Sequence, residues 1–387
     1  MTSLLDTTSV PRNSIRKKRL QRRPKLRETT FLDYAQTTAL HLRNGLAIRS
    51  REEWMRFWTE NPVYKRRGGQ WPIGWALEID GELVGSIGNI PLAYQFKGRE
   101  LCVAAACSWA VDGHYRPYSM LLLDRLMRQK DVDLVISTTV SSSAEPVFTF
   151  LQSSKMRVGT WNKSGFWITN YPGFSRIALR KTSIPFASLL AYPLSAVLYS
   201  RDRFTEAGLR VHGSATELEL CSEFDGRFDE FWEELNHQND SVLLASRTRE
   251  TLAWHFHDAL SRGKAWILAA FKGSCLVAYA IFDRQDNSAL GLKRVRLVDF
   301  QALKGSEEIL RSALSWMLHR CRQERIHILE VTGGWLDRPG LPRVRPPCHR
   351  TLPSWAYYYR ANNTDLVETL RDPGVWAPSS FDGDASL

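Results

Sequence analysis

At 387 residues, with 43% hydrophobic and 24% charged residues, the chain has the composition of a globular protein and is too long for one typical domain. Its net charge is +11, but residues 1–27 carry +8 of it, so the remainder is close to balanced and a generally basic surface is excluded. Nothing at the N-terminus has the apolar core of a secretory signal, and six scattered cysteines without C-x-x-C spacing speak for reduced core residues in a cytoplasmic protein, against a disulfide framework or a zinc site.

The basic start has no periodic apolar face and is expected to be a disordered tail over 1–30, suited to contact with nucleic acid or an anionic membrane surface. Apolar spacing predicts a short helix over 31–42 and a second over 50–58, where Ser50 and Glu53 form a capping-box pattern. Strands over 71–79 and 82–94 flank an Asp80-Gly81 hairpin turn. Residues 103–111 are small and apolar enough for a strand buried on both faces, 112–115 make a turn, and from Arg116 onward Met120, Leu123, Leu126 and Met127 recur at helical spacing. Another buried strand over 132–139 and a short helix over 141–151 follow, and the stretch 156–170 is expected to close the sheet.

Residues 182–200 are uncharged and lie between Arg180-Lys181 and Arg201 with Arg203. Pro185, Pro193 and the serines argue against a membrane-spanning helix. The segment is expected to be a connector that buries its apolar face against the flanking domains, with an interfacial helix as the alternative.

The second half repeats the plan. Phe228, Phe231, Trp232 and Leu235 mark one helix, and Leu252, Phe256 and Leu260 another. Strands over 264–271 and 275–283 form a hairpin, a strand follows over 292–303, then a helix over 306–321 with Ile309, Leu310, Ala313, Leu314, Met317, Leu318 and Cys321 inward, then a strand over 327–332. The hairpin stretch at 74–85 resembles that at 265–278, with tryptophan, turn glycine and Leu-Val in the same order. The interval from turn glycine to long helix is 35 residues in one copy (Gly81 to Arg116) and 33 in the other (Gly273 to Ser306), which implies an internal duplication. The domains are accordingly placed at 31–172 and 213–387, the latter with a C-terminal extension, joined by a connector over 173–212.

The strand-turn-helix at 103–134 resembles the GNAT superfamily of N-acyltransferases, in which the fourth strand enters a turn with the pattern V-x-P-x-x-[Q/R]-x-x-G-x-[G/A] whose amides cradle the pyrophosphate of coenzyme A. Val111 and Arg116 match at the family spacing; Gly113 stands at the proline, Ser119 at the first glycine and Leu121 at the small last position. With the duplication, the resemblance is to tandem GNAT folds and covers about residues 45–361. It implies an α/β (α+β) fold class, two domains each with a mixed, mostly antiparallel sheet flanked by helices, and acetyl-CoA or another acyl-CoA as co-substrate. The cofactor residues it implies are Val111, Gly113, Arg116, Tyr118, Ser119, Met120 and Leu121, with Ser141 on the pantetheine arm. The second half has Glu307 and Glu308 at the equivalent helix start, so cofactor binding is assigned to the first half and shaping of the acceptor cleft to the second.

Acyl transfer needs a base for the amine and a donor for the oxyanion. Asp112, at a strand end, and Glu145, just after the next strand, are the base candidates; a turn or capping role is the competing reading for both. Asp299 and Glu330 are their counterparts in the second half, as ligands for a cationic acceptor. Where many GNAT members place a tyrosine that protonates the leaving thiolate, the best matches are Phe148 or Phe150, which cannot donate. His255 and His257 lie two apart with no cysteine or carboxylate cluster nearby, so no metal is expected. The loop 338–350 is basic and proline-rich, and the chain ends in a stretch whose Asp382 and Asp384 are either exposed or line the cleft. The resulting expectation is an acyl-CoA-dependent N-acyltransferase acting on an amino group of a sugar, cell-envelope precursor or small metabolite. The alternatives are a Fem-type aminoacyl transferase using tRNA and a catalytically inactive GNAT-fold binding protein.

Overall fold

A computed structural model gives the structure of the protein and describes residues 23–182, 186–205, 218–336, 338 and 340–387. The first half begins with strand β1 (Lys25–Glu28), then helices α1 (Tyr34–Arg43), α2 (Arg51–Thr59) and α3 (Pro62–Arg66). Strands β2 (Gly74–Ile79), β3 (Glu82–Phe96) and β4 (Arg99–Val111) form an antiparallel meander, and α4 (Ser119–Met127) crosses to the parallel strand β5 (Leu134–Val140). Then come α5 (Glu145–Phe150), the short β6 (Ser154–Lys155), β7 (Lys163–Ile168), and a helical hairpin of α6 (Tyr171–Lys181) and α7 (Ala187–Thr205).

The second half runs β8 (Leu218–Cys221), α8 (Gly226–Gln238), β9 (Leu244–Ala245), α9 (Arg249–Ser261), β10 (Ala265–Lys272), β11 (Cys275–Arg284), β12 (Arg294–Ala302), α10 (Ile309–Gln323), β13 (Ile328–Thr332), β14 (Cys348–Thr351), β15 (Ala356–Ala361) and α11 (Thr364–Thr369). Each half thus has an antiparallel meander, a crossover helix and a parallel strand, as the duplicated sequence implies. Ser50 caps α2 by accepting from the Glu53 N–H, and the Glu53 carboxylate bonds the Ser50 N–H, completing the expected box. The buried face of α10 holds the seven inward residues read from its periodicity.

Three expectations are corrected. The stretch 156–170 does not close the first sheet: β7 pairs with β13 of the second sheet, and β15, from the far end of the chain, pairs with β5 of the first. The two halves therefore exchange their closing strands. The basic tail is ordered at its end, because Lys25–Glu28 adds to β2 and Arg27 ion-pairs with Asp33 and Glu78; residues 1–22 lie outside the described residues. The connector does not bury its apolar face, since Leu189, Tyr192 and Val197 on α7 are exposed. Residues 183–185 and 206–217 of that stretch lie outside the described residues.

Three clusters of buried side chains hold the layers together. Leu122, Leu123, Leu126 and Met127 of α4 pack on Leu77, Val84, Ala104 and Val135 of the first sheet. On the second sheet, Leu310, Leu314 and Met317 of α10 pack on Leu297, Leu329 and Val331. Between the sheets lies a third, aromatic cluster, including Phe57, Trp58, Tyr94, Phe228, Phe231, Tyr279, Trp376 and Phe381. Among the described residues, no helix is long and apolar enough to cross a membrane.

Candidate functional site

β4 and β5 pair only over Val103–Ala105 against Leu134–Ile136. Beyond that they diverge, and a cavity of about 550 Å³ opens between them. Its walls are Ala106 to Trp109 on β4, Ser137 to Val140 on β5, Ser141 after it, and Phe148 of α5, with Ile48, Arg49, Asp384 and Leu387 closing one side. Two splayed strand edges offer backbone donors and acceptors to an extended amide-bearing chain, as an added strand would use them.

The β4 wall is distorted at the cavity. The β3–β4 register shifts between Ser86 and Gly88, giving β4 an extra residue there, and Ser108 takes φ +49°, the left-handed region that non-glycine residues avoid. Gly88 permits this approach, because a Cβ there would lie 2.4 Å from the Cys107 sulfur. His41 hydrogen-bonds the Ser108 backbone and lies 3.5 Å from Ser86 Oγ. Burial, and secondarily the Arg49 charge, lower the His41 pKa, so its imidazole is neutral at pH 7.

The C-terminal stretch supplies the cavity's carboxylate. Trp376 donates to the Leu370 carbonyl and Phe381 lies against His255 with ring centroids 4.4 Å apart, anchoring the segment in the aromatic cluster. Gly383, at φ +58°, turns the chain onto β5, where a Cβ would lie 2.7 Å from Thr138 Cγ2. Asp384 then accepts hydrogen bonds from Thr138 Oγ1 at 2.7 Å and Thr139 Oγ1 at 3.1 Å. Burial raises the Asp384 pKa above the ordinary carboxylate value despite these donors. A carboxylate with raised proton affinity on a cavity wall has the properties of a general base.

Solved structures share this architecture. GCN5-related N-acetyltransferases from Anabaena variabilis and Kribbella flavida align with TM-scores of 0.53 and 0.52 at 11% identity, covering 88% and 87% of this chain and 73% and 71% of theirs. A conserved protein of unknown function from Enterococcus faecalis aligns with a TM-score of 0.54 at 12% identity, over 87% of this chain and 72% of its own. The chain has the fold of the GCN5-related N-acetyltransferases. No protein-family model matches the sequence, and no curated protein matches it.

Within this N-acetyltransferase fold, the residues singled out from sequence separate into two groups. Ser141 lines the cavity. Val111, Gly113, Arg116, Tyr118, Ser119, Met120 and Leu121 lie instead at the end of β4, along a 3-10 turn (Gly113–Tyr118) and on the first turn of α4, off the cavity walls. The turn satisfies part of its own backbone: the Tyr115 N–H bonds the Asp112 carbonyl at 2.8 Å, and the Ser119 N–H bonds the Arg116 carbonyl. Arg116 is exposed.

Both base candidates are ion-paired, and neither is on the cavity wall. Asp112 receives Arg43 Nε and Nη2 at 2.8 Å and Asn44 at 3.0 Å, chiefly the Arg43 bonds lowering its pKa. Glu145 receives Lys155 at 2.7 Å and the Tyr358 hydroxyl at 2.9 Å, with Lys155 the main cause of its lowered pKa. Asp299 and Glu330 are not available to a cationic acceptor, which corrects the sequence reading. Buried Asp299 is bonded by Arg247 at 2.8 Å, Tyr279 at 2.9 Å and Gln301 at 3.0 Å. Buried Glu330 is bonded by Arg296, Arg350 and Ser164, and its carboxyl is pulled down to about 2 against the cost of burial. Phe148 packs at the cavity against Trp109 and Tyr358, while Phe150 is 72% exposed.

A second, polar pocket of about 270 Å³ shares Ile48, Arg49 and Leu387 with the first. Its charges include the Arg56–Asp258 and Arg262–Glu53 pairs and Asp283, which burial drives to a raised pKa. Among the described residues, no three His, Cys, Asp or Glu side chains come together as a metal site. At the corresponding position of the second sheet, the C-terminal segment is tied in: Ser380 Oγ hydrogen-bonds Thr332 Oγ1 at 2.5 Å, and Ser379 accepts from the Arg247 that pairs with Asp299.

Proposed function

We propose that the protein is an acyl-CoA-dependent N-acyltransferase whose donor lies between β4 and β5 and whose acceptor is a primary amine of a sugar, cell-envelope precursor or small metabolite. The observation that carries this reading is the cavity at the splayed strands with Asp384 half-buried on its wall. The coenzyme thioester supplies the activated acyl group, and its pantetheine arm fits the free strand edges of 106–109 and 137–140, with Ser141 at the exit. Arg116 and the turn after β4 lie at the strand end and suit contact with the coenzyme phosphates.

The residues of this chain then have separate tasks. Asp384 Oδ takes the proton from the acceptor ammonium or from the attacking amine. The backbone at the Ser108 bulge, held by His41, offers N–H groups to the carbonyl oxygen as charge builds there. The new C–N bond forms as the C–S bond breaks, and the leaving thiolate takes a proton from solvent, since Phe148 has none to give. The acceptor enters from the polar pocket, where Asp283 provides a carboxylate for a cationic group. Release of free thiol on mixing acetyl-CoA with a panel of amino sugars, polyamines and amino acids tests the proposal. Acceptor-dependent thiol release that Asp384→Asn abolishes supports it, and no release above hydrolysis with any acceptor contradicts it.

A further inference from the structure

The α6–α7 hairpin leaves six of its large apolar side chains on the outside. Phe186, Leu189, Leu190, Tyr192, Val197 and Tyr199 are 45% to 77% exposed. The inward side of α7 mixes small and polar side chains with two half-buried leucines, Leu194 and Leu198: Ala191 and Ser195 are buried, Ser195 Oγ bonds Ser175 Oγ at 3.1 Å, and Asp202 accepts from the Tyr171 hydroxyl at 3.2 Å. A helix that only links two domains in water puts its apolar face inward. This one also leaves a broad apolar face in water, and an exposed apolar surface of that kind marks a site of interaction.

The charge around that surface selects the occupant. Residues 171–205 contain Arg176, Arg180, Lys181, Arg201 and Arg203 against one acidic residue, Asp202, which is buried beneath Tyr171 and Arg201. A second copy docking here would bring two sets of arginines together, which is repulsive. A nucleic acid would use the cations but leave Leu189, Leu190 and Val197 in water. A bilayer with anionic headgroups satisfies both halves of the pattern, with Tyr192 and Tyr199 suited to the boundary layer. We infer that the α6–α7 hairpin docks on an anionic lipid surface, its exposed apolar side chains in the headgroup-acyl boundary and the exposed Arg180, Lys181 and Arg203 on lipid phosphates. It lies on the bilayer, because no helix among the described residues can span it.

The test is co-sedimentation of the full chain with vesicles of phosphatidylcholine alone and of phosphatidylcholine mixed with phosphatidylglycerol. Binding is expected to the mixed vesicles and to fall on raising the salt. Leu189→Glu/Leu190→Glu should weaken it at least about tenfold, with an unchanged melting temperature because both side chains are exposed. Arg180→Gln/Lys181→Gln should weaken it about tenfold and flatten its salt dependence. Failure of the wild type to sediment with the mixed vesicles overturns the inference. So does full retention by Leu189→Glu/Leu190→Glu, which would move the lipid contact to another basic region such as residues 1–22. A dimer in sedimentation velocity that this variant dissolves, without vesicle binding by the wild type, would make the occupant a second copy.

Discussion

The Asp384 carboxylate accepts the Thr138 hydroxyl at 2.7 Å, joining the last residues of the chain to the strand that forms one wall of the first half's cavity. The cavity is therefore completed by sequence 246 positions away. This contact holds a carboxylate of raised pKa in place without pairing it to an arginine, unlike Asp112, Asp299 or Glu330.

Asp384→Asn keeps the shape and the threonine contacts but removes the proton acceptor, so kcat should fall by about 10²- to 10⁴-fold with little change in acyl-CoA affinity. In the wild type, kcat should rise with pH on a limb set above the ordinary carboxylate pKa, because burial favours the protonated form. Steady-state kinetics across pH check both. Asp112→Asn, which alters the contacts with Arg43 and Asn44 away from the cavity, should leave the limb in place.

Asp382 sits deeper and is pushed up to about 6, mainly by burial. Its folded pKa lies above its unfolded one, so the stability it contributes is full below about pH 4 and is lost as pH rises through about 6. Asp382→Asn should remove that loss, which chemical denaturation between these pH values measures.

The buried Arg247–Asp299 pair, with Tyr279 and Gln301 also on the carboxylate, ties α9's leading edge to β12. Arg247→Ala leaves Asp299 buried and unpaired and should cost about 3–5 kcal/mol. Replacing Arg247 and Asp299 together by methionine and leucine should recover most of it, read by denaturant unfolding.

Arg116→Ala should weaken acyl-CoA binding about tenfold through loss of a charge-assisted phosphate contact, with kcat at saturation unchanged. An effect on kcat alone would place Arg116 elsewhere in the reaction.

Much of the fold is legible in the sequence because it is locally encoded. The Ser50–Glu53 box starts α2, the stripe from Ile309 to Cys321 fixes the buried face of α10, and the repeated hairpins betray the duplication. The strand exchange is not legible: β7 and β15 are both short, apolar and edge-compatible, and nothing local states whether β5 or β13 is the partner. The same limit left Asp384 undecided between an exposed position and the cleft. An Asp-Gly-Asp near the end of the chain has no periodicity, and only the packing of Trp376 and Phe381 carries it to Thr138. Asp112 and Glu145 were visible because strand ends are, but their partners Arg43 and Lys155 come from other elements. The exposed apolar face of α7 is equally hidden, because a segment apolar on nearly every side does not say which side faces water.

The most direct test is calorimetric titration of the purified protein with acetyl-CoA beside Ser141→Trp, which places an indole at the mouth of the β4–β5 cavity. Binding by the wild type is expected, with a loss of at least about tenfold in the variant and both proteins melting alike. Absence of binding by the wild type at high acetyl-CoA, or equal binding by Ser141→Trp, would contradict an acyl-CoA site in this cavity.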